Sequence, residues 1–332
     1  MSLLKNIKYS VLDLAVVRKG DTLTDTFQNT VDCAKIVEDL GYTRYWLSEH
    51  HNMENVASSA TAILIGHVAG NTSKIKVGSG GIMLPNHTAL SVAEQFGTLD
   101  ALYPGRIDLG LGRAPGTDQI TASILRRGEN FAQYNFELEI KELQRYLNSD
   151  NCKNKVRAIP GEGANIDLYI LGSSTESAYL AAELGLPYAF AGHFAPQQFY
   201  DAVAIYKRNF KPSIYLDKPY SMVCVNVIAG NSDDEAHLLS LSMFQSFLNI
   251  ITDQRSALVS PEETNLQEAN DQQKYVLRGM TALSFIGSKS TLCQSLTKFV
   301  EDCGVDEIII NSNIYDQKAK RKSYQIVSEL FR

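Results

Sequence analysis

The sequence predicts a (β/α)8 barrel built as one domain, and three observations lead there. Short apolar runs alternate with longer stretches of helical period along the whole chain. Eight strand-and-helix units can be counted, and 332 residues is a size at which single barrels are common. Strands that are each followed by a helix pair in parallel through right-handed crossovers, and eight such units close into a barrel. An open doubly wound sheet is the alternative, but it needs two switch-point halves that the pattern does not display.

The elements follow in order. Residues 7–12 read as the first strand. Helix 25–40 carries Phe27, Val31, Ala34, Val37 and Leu40 on one face, with Gly41 placed to end it. A second strand at 43–47 precedes a small-residue helix at 58–70, and a third strand at 75–79 precedes a helix at 88–102. Tyr103-Pro104-Gly105 stops that helix and launches the fourth strand, 106–111. A helix is expected at 131–147 and a fifth strand at 167–171. Ser173 and Glu176 then have capping-box spacing for a helix that Gly185-Leu186-Pro187 ends. Strands at 188–191, 222–228 and 307–310 complete the eight. Helices at 197–210, 233–248, 288–303 and 316–330 fill the intervals. The stretch 249–285 departs from this rhythm: it is long and polar, and is expected to be a mobile lid inserted over the C-terminal mouth.

Composition narrows the function. With 44% hydrophobic and 9% aromatic residues the chain carries a large core, which excludes disorder and a small disulfide-stapled scaffold. Its net charge of −6, from 31 Lys+Arg against 37 Asp+Glu, argues against nucleic acid or an anionic membrane as a partner. The basic run 318–322 reads as the solvated face of the last helix. No apolar run approaches the roughly 20 residues of a membrane span, and the N-terminus lacks the apolar core of a signal peptide. Cys33, Cys152, Cys224, Cys293 and Cys303 are odd in number and scattered, the pattern of reduced thiols in a cytoplasmic protein.

In a barrel, chemistry gathers where strands end at the C-terminal face. After the second strand stands Ser48-Glu49-His50-His51-Asn52. Metal ligands on one element need to face the same way, whereas neighbours on an extended segment point apart, so a shared ion is disfavoured. An acid/base or substrate-orienting role for His50 is favoured over a pair of hydrogen-bonded loop histidines, because imidazole titrates near working pH. After the fourth strand comes Gly110-Leu111-Gly112-Arg113-Ala114-Pro115-Gly116, whose spacing is not the dinucleotide fingerprint. Arg113 suits bidentate phosphate binding, or equally a rim salt bridge to Asp108 or Asp118. Gly172-Ser173-Ser174 offers hydroxyls and free N–H groups at a helix start, where an anion binds, or a plain N-cap. Ser79-Gly80-Gly81 permits close approach of a flat ligand, an unusual peptide geometry, or simply a tight turn.

Taken together, the segments 45–52 (YWLSEHHN), 77–87 (VGSGGIMLPNH) and 93–118 (AEQFGTLDALYPGRIDLGLGRAPGTD) resemble the flavin-dependent luciferase-like monooxygenases, and the similarity extends over essentially the whole chain. The resemblance implies a (β/α)8 barrel that binds FMN at its C-terminal face. Arg113 would hold the phosphate, assisted by Gly112, Gly172, Ser173 and Ser174. Ser79, Gly80 and Gly81 would match the segment holding the family's non-proline cis peptide, which supports the isoalloxazine ring, and His50 the catalytic histidine. The implied reaction uses reduced FMN and O2 to oxygenate a small organic substrate. A separate flavin reductase is expected, since no nicotinamide fingerprint is present, and the helices at 58–70 and 89–102 are expected to form a homodimer. The position before Arg113, a reactive cysteine in luciferase, is Gly112 here, so light emission is not implied. Alternatives are a non-catalytic flavin-binding protein and a flavin- or deazaflavin-dependent dehydrogenase.

Overall fold

The computed structural model describes residues 3–126 and 134–332, and nine strands are present among them. These are β1 (Lys8–Asp13), β2 (Arg44–Leu47), β3 (Lys76–Met83), β4 (Ile107–Gly112), β5 (Asp167–Gly172), β6 (Tyr188–Phe190), β7 (Ser221–Ala229), β8 (Ser284–Gly287) and β9 (Glu307–Asn311). All but β8 form a closed parallel barrel. Closure runs from β6 to β7 (Ala189 opposite Met222), from β7 to β9 (Val223 opposite Ile308) and from β9 to β1 (Ile310 opposite Val11). The eight expected strands are therefore the barrel. The ninth, β8, extends the C-terminal half of β7, with Asn226 opposite Ser284. Four residues are too few to display an alternating pattern, which is why the sequence does not announce it.

The helices, in chain order, are α1 (Leu23–Asp39), α2 (Thr61–Gly70), α3 (Ala89–Leu102), α4 (Gln119–Leu125), α5 (Phe136–Leu147), α6 (Thr175–Leu184), α7 (Phe199–Asn209), α8 (Asp233–Ile251), α9 (Asp271–Met280), α10 (Lys289–Cys303) and α11 (Gln317–Phe331). Local chemistry sets their ends. Thr22 and Asp25 form a reciprocal capping box on α1, and Gly41 beyond its end adopts φ +75°. The helix expected at 131–147 is seen as α5, capped by the Asn135 side chain; its expected first residues, 131–133, lie outside the described residues. One expectation is corrected: Ser174, not Ser173, is the N-cap of α6, and no side-chain capping bond forms. The stretch 249–285 holds the end of α8, then α9 and the start of β8. It lies across the loops after β1 and β2: Leu258 pairs with Val17 and Lys19 through backbone bonds, and Arg255 Nη1 donates to the Asn52 carbonyl at 2.8 Å.

The main core fills the shell between strands and helices, while Leu12, Trp46, Tyr169, Met222, Cys224 and Ile309 pack the barrel interior. Below them a buried polar knot closes the N-terminal end. Arg44 donates to Asp108 at 2.6 Å, to Glu307 at 2.8 Å and to the Tyr169 hydroxyl at 2.7 Å. Burial opposes the Arg44 charge, but the two carboxylates outweigh it and raise its pKa. With that end plugged, a ligand enters the barrel from the C-terminal face. No helix among the described residues is long and apolar enough to cross a membrane.

Candidate active site

The site is built around an irregularity between β3 and β4. Ser79 lies opposite Leu109, but the next register partner is Ile82 opposite Leu111, so Gly80 and Gly81 form a bulge. The Gly80–Gly81 peptide is cis. Neither residue has room for a side chain: a Cβ on Gly80 would stand 2.8 Å from Leu12 and 3.1 Å from Trp46, and one on Gly81 only 2.7 Å from the Gly110 carbonyl. Ser79 is fully buried, and its hydroxyl donates to the Gly110 carbonyl (2.9 Å) while accepting from the Gly110 N–H (3.0 Å). Its side chain thus braces the bulge from below. Above the bulge a small crevice of about 30 Å³ is lined by Gly80, Trp46, Leu171, His193 and Cys224 among others.

Leu171, near the end of β5, also walls a larger cavity of about 390 Å³ that opens at the rim. Arg113 lines it, exposed and without an ion pair or hydrogen bond among the described residues. The rim salt bridge weighed as its alternative is not formed. Asp108 is taken by Arg44 and Lys76 in the interior, and Asp118 by Asn52 and Arg255. Across the cavity stands the first turn of α6, with Glu176 and Ser177 in the wall. Gly172 must lack a side chain, since a Cβ there would sit 1.9 Å from the Ser177 hydroxyl. Gly112 is confined by the flexible Met83 side chain instead, whose methyl would stand 2.6 Å from a Cβ there. The hydroxyl of Ser173 has no hydrogen-bond partner among the described residues, and the Ser174 carbonyl accepts from Ser177 and from Tyr188. The Glu176 carboxylate folds back on the helix start: its own backbone N–H, the Ser174 hydroxyl and Arg113 all lower its pKa.

At the end of β2 the two adjacent histidines part company, as extended neighbours do. His51 Nε2 lies 3.0 Å from the Glu49 carboxylate. His50 turns the other way, with Nδ1 3.3 Å from the Gly116 carbonyl. A carbonyl only accepts, so Nδ1 carries the proton and Nε2 is left with the lone pair. Burial lowers the His50 pKa more than the Gly116 carbonyl and Glu49 restore it, so the ring is neutral at physiological pH. Glu49 itself is buried and also accepts from His87 (2.9 Å), Asn86 (3.1 Å) and the Met83 N–H (3.2 Å). Burial alone would raise its pKa, yet the His51, His87 and Asn86 bonds bring it down to about 2. Glu49 is therefore a carboxylate that ties the loops after β2 and β3 together.

One residue of this site has no counterpart in the sequence reading. His193, three residues beyond β6, lines the Gly80 crevice, and His50 is close enough to add to the lowering of its pKa. It stands in no motif. The signal that could have marked it is positional, since it sits at a C-terminal strand end like the other four clusters.

An unpaired guanidinium at the rim cavity, a floor without side chains in the crevice that shares Leu171 with it and a neutral histidine in the loop after β2 are what the fold places at the C-terminal face. Residues 7–306 fit the family described as luciferase-like monooxygenase, and the chain belongs to it. The similar proteins include YvbT of Bacillus subtilis, an uncharacterized protein 46% identical over 99% of this chain and 98% of its own length. A luciferase-like monooxygenase of Escherichia coli K12 is 43% identical over 98% of this chain and 97% of its own. Among solved structures, apo-MsnO8 superposes with a TM-score of 0.87 at 31% identity, covering 98% of each chain.

Proposed function

We propose that this protein is an FMN-dependent monooxygenase that draws reduced flavin from a separate reductase and inserts oxygen into a small organic substrate. The observation that carries this reading is a pair of neighbouring cavities that share Leu171 as a wall. One offers the free cation Arg113 and the start of α6; the other offers the cis Gly80–Gly81 cradle. A guanidinium facing helix N–H groups suits a dianionic phosphate, and a backbone floor without Cβ atoms suits a flat ring. Reduced FMN, when bound, supplies the electrons that activate O2. The chain's own part is to hold both ends, to keep water from the ring with the apolar walls of Trp46, Leu171 and Cys224, and to present the lone pair of His50 Nε2 as a base or acceptor. Stretch 249–285, anchored through Arg255 and Leu258, serves as the cover of the mouth.

A homodimer through α2 and α3 is part of the same reading. Ile63 on α2 and Leu102 on α3 are 77% and 62% exposed, an apolar surface of the kind that partners cover.

Stopped-flow mixing of the reduced-FMN complex with O2 tests the activity. A transient absorbance phase before the oxidised flavin spectrum returns is expected of a monooxygenase. Immediate return of that spectrum would favour a flavin-binding protein, and no reaction with O2 a dehydrogenase.

A further inference from the structure

His193 carries a feature that the reading above leaves unused. Its position is fixed from outside the site: its carbonyl accepts from Asn226 Nδ2 at 2.7 Å, and Asn226 accepts in turn from Asn311 Nδ2 at 2.8 Å. The ring stands edge-on to Phe194, centroids 4.8 Å apart at 83°. Yet its Nδ1 is buried without a hydrogen-bond partner. Buried polar atoms are nearly always satisfied, and one left alone is destabilising. The crevice it lines offers nothing to satisfy it, because Leu12, Trp46, Leu171, Cys224 and Ile309 make the surrounding walls. Burial pushes the His193 ring down to about 3, with His50 adding to the effect. The imidazole is therefore neutral, one nitrogen a donor and the other an acceptor. No group of the described residues serves as the partner of Nδ1, which leaves it available to a molecule that enters the crevice.

We propose that His193 is a second ligand-contacting imidazole of this site, its Nδ1 hydrogen-bonding the polar edge of the ring that rests on Gly80–Gly81, opposite the end held by Arg113. This rests on the flavin reading above. It assigns the loop after β6 a direct contact with the cofactor, with Asn226 and Asn311 as the residues that position it.

The test uses the full-length protein labelled with 15N-histidine and titrated with FMN, comparison with His193→Gln identifying the His193 signals. The expected result is a shift of the Nδ1 resonance as FMN saturates, while the exposed His67 and His237 stay still. In parallel, fluorescence titration of His193→Phe should show FMN affinity reduced roughly fivefold to tenfold, the scale of one neutral hydrogen bond. His193→Gln, whose amide can still hydrogen-bond, should lie close to wild type. FMN binding with no Nδ1 shift, or with undiminished affinity in His193→Phe, overturns the assignment of His193 alone. Failure of the wild type to bind FMN overturns both this assignment and the flavin reading.

Discussion

At the scale of single residues, the site turns on charges that lack a full complement. Arg113 is exposed and unpaired among the described residues, whereas Asp118, the acid at the rim, is held by Asn52 and Arg255. Glu176 is the acid that shares its cavity, and its carboxylate lies over the same helix start that a phosphate would use. An anion there competes with the dianion both electrostatically and for N–H groups. Glu176→Gln is therefore expected to raise FMN affinity severalfold, with a larger gain at low ionic strength because exposed charges are screened by salt. Fluorescence titrations at two salt concentrations measure this. Unchanged or weaker binding would place the phosphate away from α6. Arg113 was legible in the sequence as a candidate for two roles, and the positions of Asp108 and Asp118 remove the salt bridge to either of them. Sequence proximity cannot do so, since Asp108 belongs to the opposite end of the barrel.

At the scale of elements, the irregular ends of β2 and β3 are held by one buried carboxylate. Glu49 has its pKa lowered to about 2 because His51, His87 and Asn86 bond to the ionised form, which outweighs burial. A carboxyl whose folded pKa is depressed adds stability that is complete above its ordinary value of 4.5 and is lost as pH falls toward about 2. Glu49→Gln should melt below wild type at pH 7, and its melting temperature should fall less between pH 4.5 and 2. Thermal melts across that range provide the check, and parallel curves for the two proteins would contradict it. The eight barrel strands were legible because each is an apolar run next to a helix of clear period. The ninth, β8, was hidden in the polar stretch 249–285, since its pairing with β7 is decided by the closed barrel beneath it rather than by its own four residues. The start of α6 was misread by one position. Ser173 and Glu176 have the spacing of a capping box, but in the fold the Glu176 carboxylate turns to Ser174 and to its own N–H. The Gly80–Gly81 cradle was foreseen through family resemblance. From the sequence alone a pair of glycines after a strand reads more readily as a tight turn. His193 was missed because it follows a strand of only three residues, and the single Gly192 before it, with no charged neighbour, does not set it apart.

At the scale of the whole molecule, a polar knot around Arg44 seals one end of the barrel and leaves function to the other. The exposed apolar residues of α2 and α3 lie outside this axis, so pairing through them would leave the mouth open. Light scattering is expected to give twice the mass of one chain. Ile63→Lys, which sets a charge in the interface core, should shift the protein toward monomer. A wild-type monomer would exclude this interface. The central claim is that one groove holds FMN with its phosphate on Arg113 and its ring on Gly80–Gly81. Fluorescence titration of wild type and Arg113→Ala with FMN and with riboflavin, which lacks the phosphate, tests it most directly. The account predicts saturable quenching by FMN in the wild type, weakened by about 1.5–3 kcal/mol in Arg113→Ala, and riboflavin binding nearly equal in the two proteins. No quenching by FMN, or an equal loss for both ligands, would contradict it.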